Sequence, residues 1–187
     1  NSCRKILEKL FEEHGGRIFN TAGDSVLAEF QSAVSAVICA TEFQKLIKQR
    51  NLSVSKDSMM EFRIGLNMGE VIVEGNNLYG DGVNIAARLE AFRQPGGVSL
   101  SKAVHDTVSQ KVELSFSDLG TQQVKNTVLH AYDIGIDGLQ QREQSLVNMQ
   151  SETTTESKPP CIAVIPFKIM GNDEDQEYFA DGVTEDI

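Results

Sequence analysis

An α+β sandwich, with helices packed over a mostly antiparallel sheet, is what three features of this 187-residue sequence predict. Helical and strand periodicities are interleaved along the chain. Pairs of strand-like runs are separated by short turn sequences, which supply antiparallel neighbours. The composition, 40% hydrophobic and 24% charged, is that of a globular domain rather than a disordered or fibrous chain.

The elements follow in order. Residues 4 to 13 place Ile6, Leu7, Leu10 and Phe11 at the spacing of a helix that buries one face, and Gly15 and Gly16 stop it. A hairpin over residues 17 to 30 comes next, its two strand-like runs flanking Gly23 and Asp24. Asp24 is there either to make the turn or to hold a carboxylate at its tip. The run SAVSAVICATEFQKLIKQRN returns to helical period, with Val34, Val37, Ile38, Ala40, Phe43 and Leu46 facing inward. EFRIGLNMGEVIVEG reads as a second hairpin about a Met-Gly turn, and NNLYGDG as a loop into a helix at VNIAARLEAF. Pro95 and two glycines end that helix. A buried strand GVSLS, a short helix KAVHDTV and strands near 112–119 and 129–135 complete a first domain, residues 1–136. Residues 137–159, rich in Ser and Thr and ending at a double Pro, read as a linker. At 160–187 a buried-strand pattern, CIAVIPF, opens what reads as the start of a second domain.

A formal net charge of −10 argues against binding a nucleic-acid backbone, yet leaves room for a nucleotide, whose phosphates need only a few local cations. No apolar run approaches the roughly 18 residues of a membrane span, and no signal peptide is visible. The segment therefore reads as soluble, without membrane contact of its own. Cys3, Cys39 and Cys161 are widely spaced in apolar or helical surroundings, as reduced thiols of a cytoplasmic protein would be. His14, His105 and His130 have no metal-ligand spacing and read as structural or solvent-facing.

Taken together and in order, NTAGDSVLAEF, FRIGLNMGEVIVEG, LYGDGVNIAARLE, PGGVSLS and FSDLGTQQVKN resemble the class III nucleotidyl cyclases, the adenylate and guanylate cyclase catalytic domain, over roughly residues 3–135. The tail is similar to the opening of a TolB-like domain that follows bacterial cyclase domains of this sort. The resemblance implies a ferredoxin-like sandwich and a reaction in which the ribose 3'-hydroxyl of ATP attacks its own α-phosphorus and expels pyrophosphate. Two Mg2+ or Mn2+ ions held by two carboxylates would assist both events. Asp24 matches the second of those carboxylates. The first belongs on a strand before the opening helix, upstream of Asn1, so the chain by itself is expected to be inactive.

Further roles follow from the same resemblance. Asn84 would orient the ribose, and Arg88, one helical turn on, would stabilise charge on the α-phosphate. Lys125 would meet the terminal phosphates, or else be a solvated strand-end lysine. Asn20 and Asn77 stand at the base-reading positions, where typical adenylate cyclases have Lys and then Asp or a hydroxyl residue. An amide both donates and accepts, so either purine stays open; adenine is favoured because the Glu that guanine would want is absent. Glu70 occupies a position where some members carry a phosphate-binding Arg, and reads as a surface turn residue. Because one chain carries both residue sets, a symmetric homodimer with two interfacial sites is implied. A guanylate cyclase, or a degenerate module that only binds nucleotide or dimerises, remains the alternative.

Overall fold

The structure is a computed structural model that describes residues 2–22, 25–124, 127–136, 161–166 and 168–169. Its elements are α1 (Ser2–His14), β1 (Gly16–Ala22), β2 (Ser25–Phe30), α2 (Ala33–Leu52), β3 (Met60–Glu61), β4 (Ile64–Met68), β5 (Ile72–Glu74), β6 (Asn77–Tyr79), α3 (Asp81–Phe92), β7 (Val98–Ser101), α4 (Lys102–Val108), β8 (Ser115–Val124), β9 (Thr127–Gly135), β10 (Cys161–Pro166) and β11 (Lys168–Ile169). Seven strands form one sheet in the order β1-β2-β10-β4-β7-β9-β8. Only β4 and β7 run parallel in it. The predicted α+β architecture, a mostly antiparallel sheet covered by helices, is what the chain adopts.

Strand alternation divides the molecule into two layers. Cys161 and Ala163 of β10, with Ile64 and Leu66 of β4, join one core with Leu7 and Phe11 of α1, Val37 and Phe43 of α2, and Val104 of α4. Ile162 and Val164 point the other way, into a smaller core with Phe19 of β1, Leu78 of β6, and Val83 and Ala86 of α3. Thus α1, α2 and α4 cover one face, and α3 lies on the opposite one. In the larger core, edge-on ring pairs Phe11–Phe30 and Phe43–Phe62 fill the space between helices and sheet.

Three details differ from the sequence reading. β5 pairs with β6 rather than β4, so the second hairpin turns at Gly75–Asn76 and the expected loop contributes a strand. Gly75 has φ 60°, the left-handed conformation that a two-residue hairpin turn requires. In α2 the inward residue near the C-terminus is Ile47, at 3% exposure, whereas Leu46 stands 39% exposed; the helix buries the next residue of its turn. Third, the described part of residues 160–187 does not stand apart from 1–136. β10 pairs with β2 over six residues and with β4 over four, and β11 pairs with β3. A strand apolar on both faces suits a central slot covered on both sides. The region read as a linker, residues 137–159, and residues 170–187 lie outside the described residues.

All three cysteines are buried thiols outside any disulfide. Burial, helped by the charges of Glu42 and Glu13, pushes the Cys39 thiol up to about 12, and burial alone pushes Cys161 up to about 12. Both are protonated and shielded at neutral pH. A water-soluble thiol reagent should therefore label no cysteine in the native chain and three after denaturation. Rapid native labelling of Cys161 would show that β10 is not seated between β2 and β4.

Candidate active site

The seat of α3 governs where its side chains stand. Gly65 of β4 lies directly beneath the helix backbone: a Cβ there would fall 2.1 Å from the Ala86 carbonyl oxygen and 2.4 Å from the Glu90 nitrogen. Gly82 in the first turn is also confined, though less tightly, since its Cβ would approach the Glu70 carbonyl to 2.9 Å. The helix opens at Gly80, whose φ of 117° no ordinary side chain adopts readily and which offers no side-chain cap. Asn67, 3% exposed on β4, instead donates its amide N–H to the Gly82 carbonyl at 2.9 Å. At the other end Glu90 pairs with Arg63 at 2.7 Å, and Arg93 with Asp133.

Gly82, Val83, Ala86, Leu89 and Glu90 form the buried side of α3. By helical geometry Asn84 and Arg88 then project together from the side turned away from the sheet. Both are half-buried, and neither side chain makes a hydrogen bond or ion pair with another described residue. An Arg held in this way on a fixed helix has its donors available to an anion.

A β-bulge decides the orientation of Asn20. The β1–β2 register slips between Ile18 and Asn20, leaving Phe19 as the extra residue. Ile18 opposes Ala28 of the larger core, whereas Asn20 opposes Leu27, which packs on the smaller one. Without the bulge, strict alternation would turn Asn20 toward α1 and α2. With it, Phe19 and Asn20 both face the α3 layer.

Asn77 lies on β6, beside β1, and the turn before it is tied to β1 by Arg17 Nη1 donating to the Asn76 carbonyl at 3.2 Å. Its amide donates to the Tyr79 hydroxyl at 3.2 Å, on the face of the hairpin opposite the buried Leu78. The structure thus gathers Asn20, Asn77, Asn84 and Arg88 on the contiguous elements β1, β6 and α3, but joins none of them to another by a hydrogen bond.

Asp24 and Lys125 lie outside the described residues; what is described are the strands that carry them. Asp24 falls between Ala22 and Ser25, the last pair of the β1–β2 ladder. Lys125 follows Val124, which pairs with Thr127 at the end of β8–β9. That hairpin is bent by a bulge between Asp118 and Thr121, braced by Asp118 accepting from the Gly120 N–H at 2.6 Å and meeting His130 Nε2 at 2.6 Å. His14 similarly meets Glu42 at 2.8 Å, and His105 stacks on Tyr132 with ring centroids 3.8 Å apart, so all three histidines have structural partners.

Glu70 is exposed, as a turn residue would be, and its neighbourhood is concave. A groove of about 630 Å3 runs past the first turn of α3, lined by Asn67, Met68, Glu70, Asp81 and Ile85 among others. None of the four asparagine and arginine candidates lines it. Among the described residues no three His, Cys, Asp or Glu side chains converge. Among them, too, no helix is long and apolar enough to cross a membrane.

With this geometry in hand, residues 1–136 match the family model of the adenylate and guanylate cyclase catalytic domain. The chain belongs to that family. A Rhizobium meliloti protein named "Putative adenylate cyclase 3" is 40% identical over 185 residues, 98% of this chain. This cyclase domain and its tail span only 31% of that relative's length. The solved adenylate/guanylate cyclase/hydrolase of Silicibacter pomeroyi superposes with a TM-score of 0.67 at 36% identity, covering 72% of this chain and 81% of that one. The guanylate cyclase domain of RhGC from Catenaria anguillulae, solved in complex with GTP, shares the fold at a TM-score of 0.59 and 22% identity, covering 73% of this chain and 81% of that one.

The contact beneath α3 of this cyclase domain gives a direct test. Gly65→Ala should destabilise the fold by about 3 kcal/mol, because helix and strand backbones must separate. A urea midpoint unchanged from wild type would show that the helix does not sit on the glycine.

Proposed function

We propose that this domain is an adenylate cyclase, converting ATP to 3',5'-cyclic AMP and pyrophosphate in nucleotide signalling. The observation that carries the reading is the pairing of Asn84 and Arg88 on the outer side of a helix fixed at both ends, with no internal partner for the guanidinium among the described residues. In the reaction the 3'-oxygen forms a bond to the α-phosphorus, its proton leaves, and the bond to the bridging oxygen of pyrophosphate breaks. Negative charge grows on the α-phosphate oxygens, where Arg88 would donate in a fixed fork. Asn84 would hold the ribose so that the attacking oxygen stays in line. Lys125 would neutralise the terminal phosphates, and Asn20 and Asn77 would read the base through amide donors and acceptors.

Mg2+ or Mn2+, bound in part by Asp24, would supply charge neutralisation and an acidified hydroxyl. The carboxylate of Asp24 is suited to either ion, though it is one ligand of a larger set. No step above depends on the ion's position.

The site is best read as shared between two copies of the chain. Arg88 has no hydrogen-bonded or ionic side-chain partner among the described residues of its own chain, and the neighbouring β5–β6 hairpin exposes Ile72 at 62% and Val73 at 64%. An apolar rim beside polar ligand groups is what a homodimer interface covers. Asp24 from one copy and Asn20, Asn77, Asn84, Arg88 and Lys125 from the other would then complete each of two sites.

Turnover of ATP and of GTP should be followed with Mg2+ or Mn2+, using this chain and a chain extended upstream of Asn1. Cyclic AMP is the expected product, formed by the extended chain, and Arg88→Ala should slow it by roughly a hundredfold or more. Cyclic GMP instead would reassign the base. No cyclisation by a chain that still dimerises would mark a binding or dimerisation module.

A further inference from the structure

Resting on the cyclase reading above, we infer that Asn67 is a positioning residue for the reaction: its buried amide sets the depth and rotation of α3, and through it the placement of Asn84 and Arg88. Four observations lead there. First, β4 is otherwise apolar where it meets the helices, with Ile64 and Leu66 in the larger core, and Asn67 is one of few buried polar side chains, at 3% exposure. A polar group so placed is retained at a cost unless its hydrogen bond matters. Second, that bond goes to the carbonyl of Gly82, two residues before Asn84 and six before Arg88 on one continuous helix. Third, α3 has no side-chain N-cap, and Gly80 leaves its start conformationally permissive, so the Asn67 amide supplies the side-chain bond to the first turn among the described residues. Fourth, the glycines beneath and within the helix permit close approach but do not choose a rotation: Gly65, Gly69 and Gly82 present bare backbone, and a Cβ on Gly69 would sit 3.3 Å from the Gly82 Cα. Smooth surfaces slide, and a directional bond fixes where they stop.

The ion pairs Arg63–Glu90 and Arg93–Asp133 fix the far end of the helix. Releasing the near end would let the first turn pivot about them. Arg88, closer to the fixed end, would move less than Asn84, but small displacements at a reacting phosphate have large effects on rate.

Two measurements test this. The first needs no turnover: amide hydrogen exchange of the 187-residue chain, wild type against Asn67→Ala. Amides of residues 83 to 88 should exchange at least roughly tenfold faster while those of α2 keep their protection. Unchanged protection in α3, or equal loss in every element, would overturn the inference. The second is a double-mutant cycle in the form of the protein that cyclises nucleotide. Asn67→Ala should lower kcat by roughly tenfold to a hundredfold with little change in KM, and should cost less in an Arg88→Ala background than in the wild type, the remainder acting through Asn84. Gln44→Ala serves as control, because Gln44 is a buried amide whose side chain donates to the Phe62 and Gly97 carbonyls and to no carbonyl of α3. It should lower stability without this split. Additive losses from Asn67→Ala and Arg88→Ala, or an equal kcat effect from Gln44→Ala, would reduce Asn67 to a structural residue. If no form of the protein turns over either nucleotide, the cyclase reading fails on its own, and the exchange experiment still decides whether Asn67 holds α3.

Discussion

Where Ala86 and Glu90 pass over Gly65, helix and strand backbones touch with no side chain between them. Everything proposed for the site depends on this contact, because it fixes the height of α3 above the sheet. The residues that pack downward from α3 are small at the crossing, Gly82 and Ala86, and larger on either side, Val83 and Leu89. That gradation lets the helix settle into the sheet and makes the opposite side of the helix a rigid platform. Rigid platforms serve chemistry that needs positioned charge better than loops do.

The sheet beneath is held together at its middle by β10. It links the β1–β2 hairpin, which carries Asn20 and leads to Asp24, to β4, on which α3 rests. Ile162 and Val164 of the same strand pack in the smaller core against Phe19, Leu78, Val83 and Ala86. The Asn20 side and the Asn84–Arg88 side of the candidate site therefore share one small apolar cluster, and the Phe19 bulge that turns Asn20 toward α3 is buried in that cluster. Geometry at the site is in this sense a product of core packing rather than of loop conformation.

Much of this was legible in the sequence, and the exceptions have physical reasons. The long helices α1 and α2 carry enough apolar periodicity to be read directly, and the i, i+4 relation of Asn84 and Arg88 follows from any helix drawn through them. The partner of β5 was misread because three-residue strands have almost no periodic signal; the Gly75–Asn76 pair was the available clue to a turn there. The facing of Asn20 could not be read, since strict alternation gives the wrong side and a bulge is set by packing. Asn67 left one trace, a polar residue inside the run IGLNM, but its meaning depends on a carbonyl 15 residues away. β10 read correctly as a buried strand, yet its place in the sheet depends on long-range pairing that no local pattern encodes.

In the proposed dimer, α3 offers Arg88 outward to a site completed by the Asp24 hairpin of a second copy. Mixing two variants of the nucleotide-cyclising form, Asp24→Asn and Arg88→Ala, tests it most directly. Each alone has two broken sites, whereas a mixed dimer has one site with both lesions and one with neither. Random exchange should restore about a quarter of wild-type turnover. A mixture no more active than its components, under conditions where the wild type turns over and subunits exchange, would place both residues in a site within one chain and contradict the account.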